Sequence, residues 1–182
     1  MEFYQEPEES AIQSLVHWIV DLIVVIAFAC YLVYSMGSRV QVNGSSMNPL
    51  LNSGDVVLIN RILYDLGTPT RYDIAVFEKE NSSYNMKRII GLPGETIQIK
   101  DNLVYIDGKP LDADSILGHA TMAGIAEYPI ELGDDEYFLL GDNRESSEDS
   151  RFSGIGVIKR QQLIGKVWFK FQPIEEFGLI NE

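Results

Sequence analysis

Three stretches of the chain hold the residue types from which a nucleophile, a base and a braced loop are made. The first, Val42–Leu58 (VNGSSMNPLLNSGDVVL), sets Ser45 and Ser46 in a turn bounded by glycine and proline. A serine hydroxyl acts as a nucleophile only with an activating base and a nearby oxyanion donor. Taken alone, this stretch is a turn that contains serines. The second, Tyr84–Ile97 (YNMKRIIGLPGETI), places Lys87 in an apolar strand that runs into a Gly-Leu-Pro-Gly turn. Strand alternation sends Lys87 and Ile89 to one face and Arg88 and Ile90 to the other. One of the two adjacent basic residues therefore faces inward or crowds an edge. A buried lysine gives up its charge readily and an arginine does not. The plain alternative is an exposed lysine on an edge strand. The third, Tyr137–Arg151 (YFLLGDNRESSEDSR), is an apolar strand entering a polar loop with Asp142, Arg144, Ser147, Asp149 and Arg151. Such a loop is either simply solvated or an ion-pair network that holds a site.

The elements that must position these residues are mostly strands. Short β-prone runs alternate with turn signals at Arg39–Val42, Asp55–Asn60, Asp73–Glu78, Met86–Ile90, Thr96–Lys100, Leu103–Ile106, Tyr137–Leu140 and Leu163–Phe171. The run TIQIKDNLVYIDGKPL predicts two tight hairpins, turning at Asp101-Asn102 and at Asp107-Gly108. Helical patterning is confined here to Ile62–Leu66 and Lys159–Leu163, and Asp112–Pro129 has no clean period and reads as a loop. The expected fold class is mainly β: a compact, barrel-like catalytic domain that follows one N-terminal transmembrane helix.

That helix is read from Leu15–Met36, an overwhelmingly apolar run in which Leu22–Met36 carries no charge. A span needs about 20 apolar residues, and Trp18, Tyr31 and Tyr34 suit the two interfacial belts. Asp21 lies near one end, where it reaches towards the headgroups. A cleavable leader would need a positive segment ahead of the run, and a core helix would be apolar along one stripe. The expected domains are a cytoplasmic acidic tail over residues 1–14, an anchor over 15–36, and an extracytoplasmic catalytic domain over 37–182. Arg39, the basic residue nearest the run, favours by itself the opposite orientation.

Composition excludes some classes. The 182 residues carry a formal net charge of −13, which argues against nucleic acid as a partner and against a basic lipid-binding patch. A single cysteine, Cys30, allows no intrachain disulfide, and two scattered histidines, His17 and His119, make a poor zinc site. A Ser–His–Asp triad would have to use one of those two histidines.

Taken together and in order, an SMxP turn, a KRxxGLPGE strand and turn, and a GDNRxxSxDSR loop resemble the boxes of bacterial signal peptidase I, from Ser46 onwards. Gly54-Asp55 and RYDIAVF also fit. The resemblance implies a membrane-bound endopeptidase that cuts signal peptides from exported precursors. Its partners are those precursors and the bilayer, and it needs no metal or cofactor. Carried over by position, Ser46 is the nucleophile and Lys87 the general base. Ser147 hydrogen-bonds and positions the lysine amine. Asp149 and Arg151 form a supporting ion pair, with Asp142 and Arg144 bracing the site. Val42, Asn43, Met47, Leu51 and Met86 line the pockets for small side chains. The resemblance also places the catalytic domain outside the cytoplasm, against the Arg39 signal.

The chain departs from the family pattern at Gly44, where one branch has a serine that donates to the oxyanion, at Leu50 in place of a threonine, at Tyr72 in place of a glycine, and in a short Asp112–Pro129. The rival readings are a self-cleaving repressor with the same Ser–Lys chemistry, and a non-catalytic anchored β-module that binds exported proteins. The first would need a DNA-binding helix–turn–helix that this chain does not offer. The second has no use for Ser46, Lys87 and Ser147 together.

Overall fold

The computed structural model describes residues 11–79, 83–111 and 116–180. Most of the tail expected over residues 1–14, part of the Asp112–Pro129 stretch, and residues 181–182 lie outside them.

The first described element is α1 (Ala11–Met36), which includes the whole expected anchor and ends where that anchor was expected to end. An 18-residue window within it has a mean hydropathy of 2.3, and none of that window is buried against the protein. That stretch is not covered by the described residues, and its length and composition fit a single-pass anchor. Its C-terminal end is fastened to the strands that follow. Trp168 Nε1 donates to the Met36 carbonyl (3.2 Å), and the Arg61 N–H donates to the Ser35 carbonyl (2.9 Å).

After α1 the strands follow as β1 (Ser38–Gln41), β2 (Val56–Asn60), β3 (Ile74–Lys79), β4 (Ser83–Gly91), β5 (Thr96–Lys100), β6 (Leu103–Ile106), β7 (Lys109–Pro110), β8 (Ile130–Glu131), β9 (Glu136–Leu140), β10 (Ile158–Lys159), β11 (Leu163–Gln172) and β12 (Gly178–Leu179), with the short α2 (Ile62–Leu66) after β2. One antiparallel sheet has the order β1-β2-β11-β3-β4-β9-β10, with β12 added to β11. A second has the order β7-β6-β5-β8. The fold is thus mainly β, as expected. The strand order of the larger sheet runs from β1 at one edge to β10 at the other, so the described residues show no closed barrel.

The two expected hairpins are both present. Asp101 and Asn102 have φ of 51° and 61°, and Asp107 and Gly108 have φ of 50° and 76°. Positive φ at both central residues is the turn that matches strand twist, and Asp, Asn and Gly tolerate it best. The helical expectation at Ile62–Leu66 holds, whereas Lys159–Leu163 is a strand end, a 3-10 turn over Arg160–Gln162 and the start of β11. Asp112–Pro129 also contains 3-10 turns, at Ile116–Gly118 and Gly124–Glu127.

Strand β4 carries the second of the three chemical stretches, and its neighbours explain its burial. It lies between β3 and β9, so it is central and not an edge. Met86 packs in a core with Val42, Met47, Leu51, Val57 and Val76. Ile89 packs in another with Tyr64, Phe77 and Leu139. Ile90 joins a third, with Ile97, Ile99, Val104 and Phe138, which belongs to the smaller sheet. With apolar layers on both sides, neither face of β4 is open to solvent from Met86 to Gly91. Lys87 and Arg88 are both buried, 4% and 3% exposed, so the plain alternative of an exposed lysine on an edge strand does not hold.

Candidate active site

Ser46 lies in the loop between β1 and β2. The Val42 N–H donates to the Asp55 carbonyl (2.8 Å) and the Gly54 N–H to the Val42 carbonyl (2.9 Å), which closes the loop at its base. Asp55 Oδ2 accepts from the Asn52 N–H (2.9 Å). From β11, Lys170 Nζ donates to the Leu50 carbonyl (2.8 Å) and pairs with Asp55 (3.0 Å) and Glu176. Burial opposes the charge on Lys170, but its hydrogen bonds to Glu176 and Asp55 outweigh this and raise its pKa. A buried, fully paired ammonium therefore holds the loop that presents Ser46.

Lys87 reaches that loop from β4. Its Nζ lies 2.7 Å from Ser46 Oγ, a hydrogen-bonding distance. A β-bulge between Ile89 and Gly91 adjusts the strand just beyond it.

The loop after β9 packs against both. The Asn143 N–H donates to the Ser46 carbonyl (3.0 Å), and Asn143 Nδ2 donates to the Ser45 carbonyl (3.2 Å). Ser45 Oγ and Ser146 Oγ are 3.2 Å apart. Gly141 allows this close approach. A Cβ there would lie 2.2 Å from Ser147 Oγ and 2.5 Å from the Ser46 carbonyl oxygen.

Asp149 and Arg151 make the expected ion pair (2.8 Å) and are 0% and 1% exposed. Asp149 Oδ2 also accepts from the Gly141 N–H (3.0 Å), while Arg151 donates to the Arg144 carbonyl (2.7 Å). Every strong donor of this buried pair thus has a partner, which the burial of charge demands. Asp142 and Arg144 do brace the loop, but not with each other. Asp142 takes a two-pronged pair from Arg88 (2.8 and 2.7 Å), and Arg88 also donates to the Tyr72 carbonyl (2.9 Å). Arg144 donates to the carbonyls of Gly141 (3.0 Å), Leu117 (2.7 Å) and His119. Burial, with Arg151 nearby, lowers the Arg144 pKa to about 10, which leaves it a cation at neutral pH.

Ser147 Oγ is buried with no hydrogen-bond partner among the described residues, so it does not bond to Lys87 in this structure as the resemblance implies. Its hydroxyl nevertheless crowds the same point beside Gly141 as the Ser46 carbonyl.

A small cavity of about 20 Å³ opens at Ser46, lined also by Val42, Asn43, Met47, Tyr84 and Met86. Four of the five expected pocket residues line it. Leu51 is instead fully buried in the core beneath, 0% exposed. Sequence reasoning missed Gly141, Asn143 and Lys170, and missed Arg88 as the partner of Asp142. The adjacent Lys87-Arg88 pair was the one available signal. Among the described residues no three of His, Cys, Asp and Glu gather as a metal site would require.

A family model described as "Signal peptidase, peptidase S26" matches residues 15–172. The chain belongs to that family. It is a bacterial-type signal peptidase I, and hence a serine-peptidase hydrolase. Among its relatives, a signal peptidase I of Bacillus caldolyticus is 35% identical over 153 residues, covering 78% of this chain and 82% of the relative. Signal peptidase I S of Bacillus subtilis (strain 168) is 30% identical over 177 residues, covering 93% and 95%. The crystal structure of a signal peptidase I from Enterococcus faecalis V583 matches with 30% identity and a TM-score of 0.44, covering 55% of this chain and 97% of that one.

Proposed function

We propose that this signal peptidase is a single-pass membrane enzyme that cuts signal peptides from exported precursors, with Ser46 as nucleophile and Lys87 as general base. The observation that carries the reading is the 2.7 Å contact between Lys87 Nζ and Ser46 Oγ, made by a lysine that is 4% exposed.

The chemistry follows from that contact. A lysine in water has a pKa of about 10.4 and is almost fully charged at neutral pH. A charged amine cannot take a proton. Burial penalises the charged form, so an amine between apolar layers is suited to being neutral. Neutral Lys87 accepts the Ser46 proton as Oγ attacks the scissile carbonyl. The ammonium so formed protonates the leaving amine, and water then releases the acyl group from Ser46 by the same relay.

The Ser46 N–H is our candidate for one oxyanion donor. With Gly44 two residues earlier, no side chain there supplies a second. Ser147 carries a buried hydroxyl without a partner among the described residues, a costly arrangement. We assign Lys87 as the group that it positions during turnover. Asp149, Arg151, Asp142, Arg144 and Arg88 keep this loop against Ser46. The cavity lined by Val42, Asn43, Met47 and Met86 is suited to a small side chain just before the cut. We place the anchor over α1 and the catalytic domain on the outer face, with its loops near the membrane surface where the end of α1 is fastened.

The test is cleavage of a signal-bearing precursor by the full chain in detergent or lipid. The wild type should release the mature protein, and Ser46→Ala and Lys87→Ala should not, while both variants stay folded by thermal melting. Activity retained in Ser46→Ala but lost in Ser45→Ala would overturn the choice of nucleophile.

A further inference from the structure

A cleft of about 450 Å³ opens beside the nucleophile loop, lined by Asn48, Pro49, His119, Thr121, Asn143 and Glu145 among others. Its volume is within the range of sites that hold a small molecule or a short peptide segment. The walls come from both sheets. One is the loop after β9. The other is the segment around His119, which is bridged to Leu103 and whose neighbour Ala120 donates to the Asn102 carbonyl (2.8 Å). Arg144 fastens the two walls together by donating to the carbonyls of Gly141, Leu117 and His119. The two walls of the cleft are therefore tied together through one buried side chain.

It adjoins the nucleophile but is separate from the small cavity described above. Asn143 stands in its wall and also donates to the Ser45 and Ser46 carbonyls. Ser46 and Met47 line the small cavity, and the next residues, Asn48 and Pro49, line the cleft. The nucleophile loop thus divides one space from the other. An extended substrate must continue on both sides of the bond being cut. The small cavity has room for one small side chain and none for a chain.

We infer that this cleft receives the polypeptide on the leaving side of the scissile bond, that is, the first residues of the mature protein, with Thr121 and Glu145 at its exposed rim as specificity-determining positions. The inference rests on the proposed peptidase reading. It predicts that the enzyme senses residues after the cut, through a site distinct from the one that senses the small residue before it.

The experiment compares two substrates that share the sequence before the cut. One is a peptide methyl ester that ends at the cut, and the other continues five residues beyond it. Thr121→Trp, which places a bulky ring in the cleft from an exposed position, should lower the ratio of kcat/KM for the long over the short substrate by roughly tenfold, the scale of a steric change in a substrate pocket. Glu145→Trp should lower the same ratio from the opposite wall, and serves if Thr121→Trp melts early. An unchanged ratio in both, with wild-type cleavage of both substrates intact, overturns the inference and leaves the peptidase reading standing. Failure of the wild type on both substrates overturns the peptidase reading, and the inference with it.

Discussion

Gly141→Ala adds one methyl group at the closest approach in the site. The new Cβ would lie 2.2 Å from Ser147 Oγ, 2.5 Å from Ser147 Cβ and 2.5 Å from the Ser46 carbonyl oxygen. Comfortable separations are about 3.5 Å or more, so something must move by roughly 1 Å. The glycine itself cannot easily give way, because its N–H is held by Asp149 and its carbonyl by Arg144. The displacement therefore falls on Ser147 and on the backbone of Ser46. Overpacking of this kind costs about 1–3 kcal/mol of stability, which lowers the melting temperature by roughly 2–12 °C in a chain of this size. A 1 Å misplacement of a reacting group costs on the order of 10²-fold in rate. The assay is kcat at saturating precursor, beside a melting curve. The expected result is a loss of about 10²-fold in kcat at a temperature where the variant remains folded. Wild-type kcat in Gly141→Ala would refute the claim that this contact sets the position of Ser46.

Other outcomes follow from the same geometry. Asp149→Ala leaves Arg151 buried without its carboxylate, which costs about 3–5 kcal/mol, so the melting temperature should fall by roughly 6–20 °C; an unchanged melting curve would remove the structural role. Because the mechanism needs a neutral amine, kcat/KM should be low in acid, where Lys87 is protonated, and should rise with pH through the lysine's titration; a profile that falls over that range would contradict the assignment of the base. Protease added to intact spheroplasts should digest the domain from Arg39 onwards and spare an anchored fragment. Complete protection until lysis would place the domain in the cytoplasm and favour the self-cleaving regulator.

Local chemistry made much of this legible. Asp101-Asn102 and Asp107-Gly108 announced their hairpins because few residues tolerate consecutive positive φ, and both turns formed. The apolar run was recognisable by its length, and the serine, lysine and acidic-loop stretches by their types and order. What escaped was long-range. Alternation along β4 assigns faces, but it cannot tell that both faces are covered, so the joint burial of Lys87 and Arg88 was out of reach. The proximity in sequence of Asp142 and Arg144 suggested a shared task, yet Asp142 pairs with Arg88, 54 residues away. Lys170 gave no local hint that it would hold the Leu50 carbonyl from a distant strand. The requirement at Gly141 exists only once two loops meet. Lys159–Leu163 misled because a short helical pattern is also compatible with a strand end, a 3-10 turn and a new strand.

The central claim is that Ser46 is the atom acylated and Lys87 the group that makes it react. Trapping the acyl-enzyme addresses this directly. The full chain is mixed with a peptide ester that ends in alanine, quenched in acid within a turnover, and mapped by mass spectrometry. The account predicts a single acyl group on Ser46, absent in Ser46→Ala and formed at least 10²-fold more slowly in Lys87→Ala, the lower scale of general base catalysis. Acylation of Ser45, Ser147 or any other residue, or an undiminished rate in Lys87→Ala, would contradict it.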